Sequence, residues 1–376
     1  MSSNGFVHKI HYQRNNYHAY AIVKSSARSD ADNLSYEYLV GKFLNRYQDR
    51  FPLFVETYAL YSYVNESSWN HSRITKKVEK SVFFKNINLI TNEDTLDDEQ
   101  IKNTCSNSKH LAILIQNIQN AKSLNYLLDE VLSNTMEVIF ILFHIYSILH
   151  TIRDSFTHYD LHLGNVLIYT LEENKHIKYI YHTSTEDTST EEIIEFKSKY
   201  MVKIIDYGRS FFPDAMEYHK KICLTQECKS KVYSDTTEID SQQCGNEVGY
   251  DYLNEPVSIE ERSYILSTVN NQSHDLRLIK NLITKINSSG YKQKYEFINK
   301  HVTVVVKYPK GTPEIKESGL YTKINNITDA FKYFKECINL FDLSNESDSN
   351  YNESTQIGEL HIYLHNENSM EFIPSD

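Results

Sequence analysis

Positive charge is in deficit: 39 Lys and Arg face 50 Asp and Glu, a net charge of -11 over 376 residues. With no basic stripe to offset repulsion by phosphates, a nucleic-acid partner is not expected. Cysteine is sparse and odd in number, five in all, which argues against a disulfide scaffold and for a reducing, cytoplasmic compartment. Met1 to Lys24 is polar and lacks the apolar core of a secretory signal. The best candidate membrane span, Val138 to Ile152, is too short and carries His144 and His150, so it reads as a buried helix. What remains, with 40% hydrophobic residues, is enough to build a two-lobed domain or two small ones.

Chemistry concentrates in His158-Tyr159-Asp160-Leu161-His162-Leu163-Gly164-Asn165, followed by the apolar run Val166 to Tyr169. A carboxylate and an amide in one tight loop can serve one phosphate, Asp160 by orienting a hydroxyl and Asn165 by holding a metal. The apolar strand Met201 to Ile205 then delivers a second carboxylate, Asp206, ahead of Tyr207 and a turn-permitting Gly208.

His158 to Asn165 resembles the catalytic loop of the protein-kinase-like superfamily, and Asp206-Tyr207-Gly208 resembles its metal-binding Asp-Phe-Gly, with Tyr for Phe. The Asp-Leu-His-x-Gly-Asn form is closer to haspin-type kinases, to kinase-like proteins of large DNA viruses and to aminoglycoside-type phosphotransferases than to ordinary protein kinases. Those carry Arg at the position of Tyr159 and Lys at that of His162. The resemblance implies an α+β, two-lobed fold, with a small β-rich N-lobe and a mainly helical C-lobe. It implies residues 1–118 as N-lobe with an insertion at about 65–109, residues 119–345 as C-lobe, and 346–376 as a polar stretch and tail. A viral relative would work in the host cytoplasm or the virion.

In chain order, Gly5 to Tyr12 and Tyr17 to Lys24 read as a hairpin around a polar turn at Gln13 to Asn16. A Gly-rich phosphate loop is absent. Gly5, with Val7 after it, is what remains of that motif, and its alternative role is an ordinary turn. Lys24 ends Ala21-Ile22-Val23-Lys24 where the superfamily places its phosphate-gripping lysine. A helix from Asp32 or Asn33 to about Tyr47 puts Glu37 on the inward stripe with Leu34, Gly41 and Leu44. A core-facing carboxylate needs a cation, and Lys24 is the expected partner.

Phe51 to Tyr63 reads as strand, and Asn65 to Lys109 as a polar insertion. Leu111 to Ile115 reads as a buried strand. By resemblance Ile115 is the gatekeeper and Gln116-Asn117-Ile118 the hinge, so that Gln116 and Ile118 meet adenine. Ser123 to Ser133 reads as a short helix, Met136 to Ser155 as a long buried one, and Glu172 to Tyr200 as a surface hairpin extension. His158 is expected to support the loop structurally. Ser273 is the expected N-cap of a helix whose Asp275 resembles the acid that braces the kinase catalytic loop. Val302 to Val306 reads as a strand, Ile327 to Phe341 as a helix, Ser344 to Ser354 as loose, and Leu360 to Leu364 as a strand able to dock.

After Gly208 no Ala-Pro-Glu segment precedes the next helix. His219, Cys223, Cys228 and Cys244 appear instead, three thiols and an imidazole suited to tetrahedral Zn²⁺, with buried free thiols as the alternative. Tyr159 cannot supply the charge that reads a phosphorylated loop, so activity without loop phosphorylation is expected. The implied cofactors are ATP and Mg²⁺, and the implied partner is a hydroxyl-bearing substrate. Serine/threonine protein phosphorylation is the first expectation. A small-molecule phosphotransferase of the aminoglycoside or choline type is the second, and a nucleotide-binding pseudokinase scaffold the non-enzymatic one.

Overall fold

The computed structural model describes residues 5–26, 34–74, 84–90, 110–184, 191–215, 250–251, 264–265, 269–295, 298, 302–304, 322–342, 351 and 353–375. The chain is mixed α and β, and it divides into two compact units. Met1–Asn45, Val55–Gln119 and Asp206–Asn270 make the first; Arg46–Phe54, Asn120–Ile205 and Asn271–Asp376 make the second. The split is therefore not the sequential one expected at residue 118, and the tail is not a separate stretch.

In the first unit, β1 (Gly5–Arg14) and β2 (Tyr17–Ser26) pair antiparallel from Gly5 opposite Ser26 to Arg14 opposite Tyr17. The turn is tighter than Gln13 to Asn16: it closes over Asn15 and Asn16, with Asn15 at φ 54°, a left-handed conformation that asparagine tolerates. After α1 (Leu34–Asn45) come β3 (Thr57–Tyr63), α2 (Glu66–Ile74), β4 (Ile87–Leu89) and β5 (Leu111–Gln116). The five strands form one antiparallel sheet in the order β1-β2-β5-β3-β4. Two-residue periodicity sends Ala112 and Val23 to one face, where they pack with Phe6, Ile10, Tyr63, Trp69 and Ile87. Leu111 and Ile113 go to the other, with Leu60 and with Leu34 and Tyr38 of α1. The short strands β11 (Tyr250–Asp251) and β12 (Tyr264–Ile265) also belong to this unit.

Two expectations need correction here. The strand expected from Phe51 starts only at Thr57, because Phe51 to Val55 are all buried rather than alternating and Pro52 has no amide to donate to a ladder. The stretch read as an insertion supplies core: Trp69 of α2 and Ile87 of β4 are both buried, and β4 pairs with β3.

The second unit is organised on one apolar helix. After β6 (Lys122–Ser123) and α3 (Leu128–Leu132), α4 (Thr135–Thr151) starts at Asn134, whose side chain accepts the Met136 amide at 3.0 Å, and every residue from Met136 to Leu149 is buried. Beside it are β7 (Val166–Thr170), β8 (Lys175–Ser184), β9 (Glu191–Ser198) and β10 (Tyr200–Ile204), then α5 (Arg277–Asn287), β13 (Val302–Val304), β14 (Thr322–Ile324), α6 (Ile327–Asp342), β15 (Thr355–Tyr363) and β16 (Glu371–Pro374). The β8–β9 hairpin is not a mere surface extension. Phe140 of α4 stacks on Phe196 of β9 at 4.3 Å, and the tail docks as β15, parallel to β8, in a sheet ordered β16-β15-β8-β9. Tyr351, in the stretch read as loose, donates its hydroxyl to the buried Glu137 carboxylate, which Ser198 Oγ also meets at 2.6 Å. No helix among the described residues is long and apolar enough to cross a membrane.

Two measurements probe this packing. Gly41 of α1 faces Thr57, and a Cβ there would stand 2.1 Å from Thr57 Oγ1. The overpacking outweighs the gain in helix propensity, so Gly41→Ala lowers the urea midpoint, by about 1–2 kcal/mol in stability. His144, buried in α4, has its pKa driven down to about 3 by burial and then by the charge of Lys203. The unfolded chain takes up this proton below about pH 6.5 and the folded chain does not, so stability is lost as pH falls from 6.5 towards 3. His144→Gln, which does not titrate, shows a smaller fall in midpoint between pH 7 and pH 4.

Candidate functional site

In the first unit the chemistry stands on one sheet face. Lys24 lies opposite Val7 on β1 and Ile113 on β5, so its side chain shares a face with Ile22 and Ile115, while α1 brings Glu37 to the same face. Lys24 Nζ donates to Glu37 Oε2 at 2.7 Å and to Asp206 Oδ1 at 2.7 Å. Glu37 is buried and Asp206 partly open, with side-chain exposures of 6% and 37%. The helical stripe led to the first of these contacts. The second joins a residue 182 positions away.

Asp206 adopts φ 72°, a strained conformation for a non-glycine residue, and it is secured on the far side. Tyr207 is buried, and its hydroxyl oxygen accepts the Val55 amide at 2.9 Å. Burial, with the Glu37 charge nearby, holds the phenol protonated against that bond. Ser210 accepts from Tyr36 Oη at 2.6 Å, and Phe212 packs on Tyr36 and Phe43. The helix that carries Glu37 thus also holds the segment that carries Asp206. Beside Lys24, Val7 is 56% exposed, and Ile22 and Ile115 are half-buried, an apolar strip suited to a flat ring. Gly5 opens β1 opposite Ser26, and the Gln116 amide donates to Glu56 O at 2.8 Å. Ile118, expected with Gln116 at the hinge, is half-buried.

In the second unit the loop is fixed by its own backbone. The Asp275 carboxylate takes the His158 amide at 2.7 Å and the Tyr159 amide at 2.9 Å, one on each oxygen. Tyr159 is buried with φ 62° and its ring lies 4.7 Å from His274. Burial pushes the Asp275 pKa up to about 7, opposed by the His158 and Tyr159 amides; the Asp160 charge raises it further and Arg277 opposes. Ser273 is not the side-chain cap expected, since a 3₁₀ turn over His274–Leu276 precedes α5 and Asn271 Oδ1 takes the Ser273 amide instead.

The tautomer of His158 follows from its partners. Nδ1 accepts the Asp160 amide at 3.2 Å, so Nε2 carries the hydrogen and donates to Ile205 O at 2.9 Å. His162 is set the same way: Nδ1 accepts the Gly164 amide at 3.0 Å, and Nε2 faces Asp160 Oδ1 at 3.5 Å. Asn165 Nδ2 donates to Asp160 O at 3.0 Å, which leaves its amide oxygen uncommitted to that bond. Amide and carboxylate oxygens are the donor set a hard divalent cation takes, so Asn165 and Asp206 each fit Mg²⁺ in chemistry.

The sequence reading missed Arg277, whose Nη1 lies 3.2 Å from Asp160 Oδ1. Its place two residues after Asp275 was the available signal. His219, Cys223, Cys228 and Cys244 lie outside the described residues, as do Asp32 and Asn33.

No family model matches the chain, and no curated protein matches it. Among solved structures it is similar to a kinase domain from Plasmodium at 14% identity, over 57% of this chain and 49% of that one, with a TM-score of 0.30. The chain spans about half the length of that structure.

Asp275→Ala leaves two buried amides without an acceptor. Each costs about 1–3 kcal/mol at most, and hydrogen exchange at the His158 and Tyr159 amides accelerates well beyond that of amides in α4.

Proposed function

We propose that this chain is an ATP-dependent phosphotransferase of the protein-kinase-like type, transferring the γ-phosphate to a hydroxyl, with serine and threonine of proteins as the acceptor class. The observation that carries the reading is Lys24 held at 2.7 Å by both Glu37 and Asp206. These are the three residues that the superfamily's order of motifs picks out separately, and one ammonium engages both carboxylates. The Asp275 brace beneath Asp160 supports the same reading from the second unit.

In this reading the apolar strip of Val7, Ile22 and Ile115 takes the adenine, with main-chain groups at Gln116 and Ile118 at its edge and Gly5 near the phosphates. Lys24, aligned by Glu37, grips the α- and β-phosphates. Asp206 in the first unit and Asn165 in the second would each offer an oxygen ligand to Mg²⁺, which when bound would neutralise charge on the phosphates. Asp160 orients the acceptor hydroxyl and takes its proton as the new oxygen–phosphorus bond forms and the bond to the β-phosphate oxygen breaks, releasing ADP. His158, held as its Nε2–H tautomer, keeps the loop backbone in place. Cytoplasmic placement and independence from loop phosphorylation are part of the proposal.

Binding and turnover separate the roles. Asp160→Asn lowers kcat by roughly 10²–10⁴-fold while MgATP affinity stays near wild type. Asp206→Asn weakens metal-dependent nucleotide binding together with turnover, and Lys24→Met lowers turnover and leaves Glu37 buried without its lysine. Radiolabelled ATP with a protein panel, beside aminoglycosides and choline, reads the acceptor class. Wild-type turnover in Asp160→Asn rules out the loop assignment, and wild type that binds MgATP without transferring phosphate leaves the scaffold reading.

A further inference from the structure

The catalytic loop lacks a cation of its own. Ordinary protein kinases carry Lys where this chain has His162, and the His162 ring accepts the Gly164 amide on Nδ1 at 3.0 Å. An imidazolium has no lone pair to accept that bond, so the observed arrangement is that of neutral His162. A positive charge nonetheless reaches Asp160 from outside the loop. Arg277 Nη1 stands 3.2 Å from Asp160 Oδ1, and the two side chains are only 15% and 14% exposed. Guanidinium keeps its charge at any working pH, and low exposure strengthens the attraction.

The placement of Arg277 is not explained by its helix. It is the first residue of α5, directly after the His274–Leu276 turn, where a cation opposes the helix dipole. What it gains there is carboxylate on two sides, Asp160 by contact and Asp275 by proximity of charge. The turn and the first residue of α5 together engage three successive loop residues: His274 lies against the Tyr159 ring, Asp275 takes the His158 and Tyr159 amides, and Arg277 meets Asp160. Backbone and carboxylate of the loop are therefore registered against one rigid element. With Arg277 and His162 Nε2 both directed at Oδ1, the carboxylate is held against rotation, and the direction of Oδ2 is set with it.

We propose that Arg277 is a positioning residue for phosphoryl transfer, fixing the Asp160 carboxylate for the acceptor hydroxyl and supplying from α5 the positive charge that the loop lacks. This rests on the phosphotransferase reading. A carboxylate swung out of line by about 1 Å loses on the order of 100-fold in rate, and that loss falls on the chemical step, not on nucleotide binding.

The test compares wild type, Arg277→Gln, Arg277→Lys and Arg277→Ala in γ-phosphate transfer from ATP, with urea unfolding of each. Arg277→Gln is expected to lose about 100-fold in kcat with KM for MgATP unchanged and a midpoint close to wild type. Arg277→Lys recovers part of the rate, and guanidinium ion at millimolar concentration recovers part of it in Arg277→Ala. A kcat in Arg277→Gln equal to or above wild type overturns the proposal. So does a loss that tracks a lowered midpoint and that neither lysine nor guanidinium restores, since that marks a structural role. Wild type that transfers no phosphate to any acceptor defeats the phosphotransferase reading itself, an outcome distinct from unchanged turnover in the variants.

Discussion

A lysine ammonium that is only 13% exposed stays charged at moderate cost only where carboxylates answer it, and Lys24 has two at 2.7 Å. Much of the first unit is arranged to satisfy this requirement. α1 must approach the sheet closely enough for Glu37 to reach Lys24, which explains the glycine at position 41 and the paired bonds, 2.7 and 3.0 Å, between Asn45 and the Thr57 backbone. The segment after Ile205 must return Asp206 to the same face, which explains the buried Tyr207 and the Tyr36–Ser210 bond. Of the two carboxylates that meet Lys24, Asp206 is the more open.

The second unit meets a different constraint, a loop whose main chain is fixed from outside by Asp275. The loop tightens around Tyr159 at positive φ and meets the Asp160 and Gly164 amides with its own imidazoles, while the buried Asp275 carboxylate accepts the His158 and Tyr159 amides from outside it. The tension recorded at Asp275, where burial raises the proton affinity and the amides lower it, is the cost of that arrangement.

Legibility from sequence followed the range of the interactions. Lys24 and Glu37 lie 13 residues apart; resemblance to the superfamily's lysine singled out the first and the helical stripe the second. Asp160, Asn165 and Asp206 were visible as a motif, and Asp275 by its position ahead of a helix. Arg277 was not, because its one signal, a place two residues after Asp275, does not say which carboxylate it meets. The same limit hid the burial of the β8–β9 hairpin. The largely polar composition of Glu172 to Tyr200 reads as a surface extension, and the partners that cover the hairpin, α4 and β15, are distant in the chain. Phe51 to Val55 misled for the opposite reason: continuous apolarity fits a strand, and here the burial comes from packing on all sides.

The parallel pairing of β15 with β8 has a consequence for how the chain is made. His176 and Ser354, bonded at the start of that pairing, are 178 residues apart. During synthesis the β8 edge is complete long before its neighbour leaves the ribosome, and a growing chain must carry an open strand edge for that whole interval. Lys178 and His182 stand on β8 itself, and polar residues along an open strand disfavour the edge-to-edge joining of chains whose last strand is not yet made.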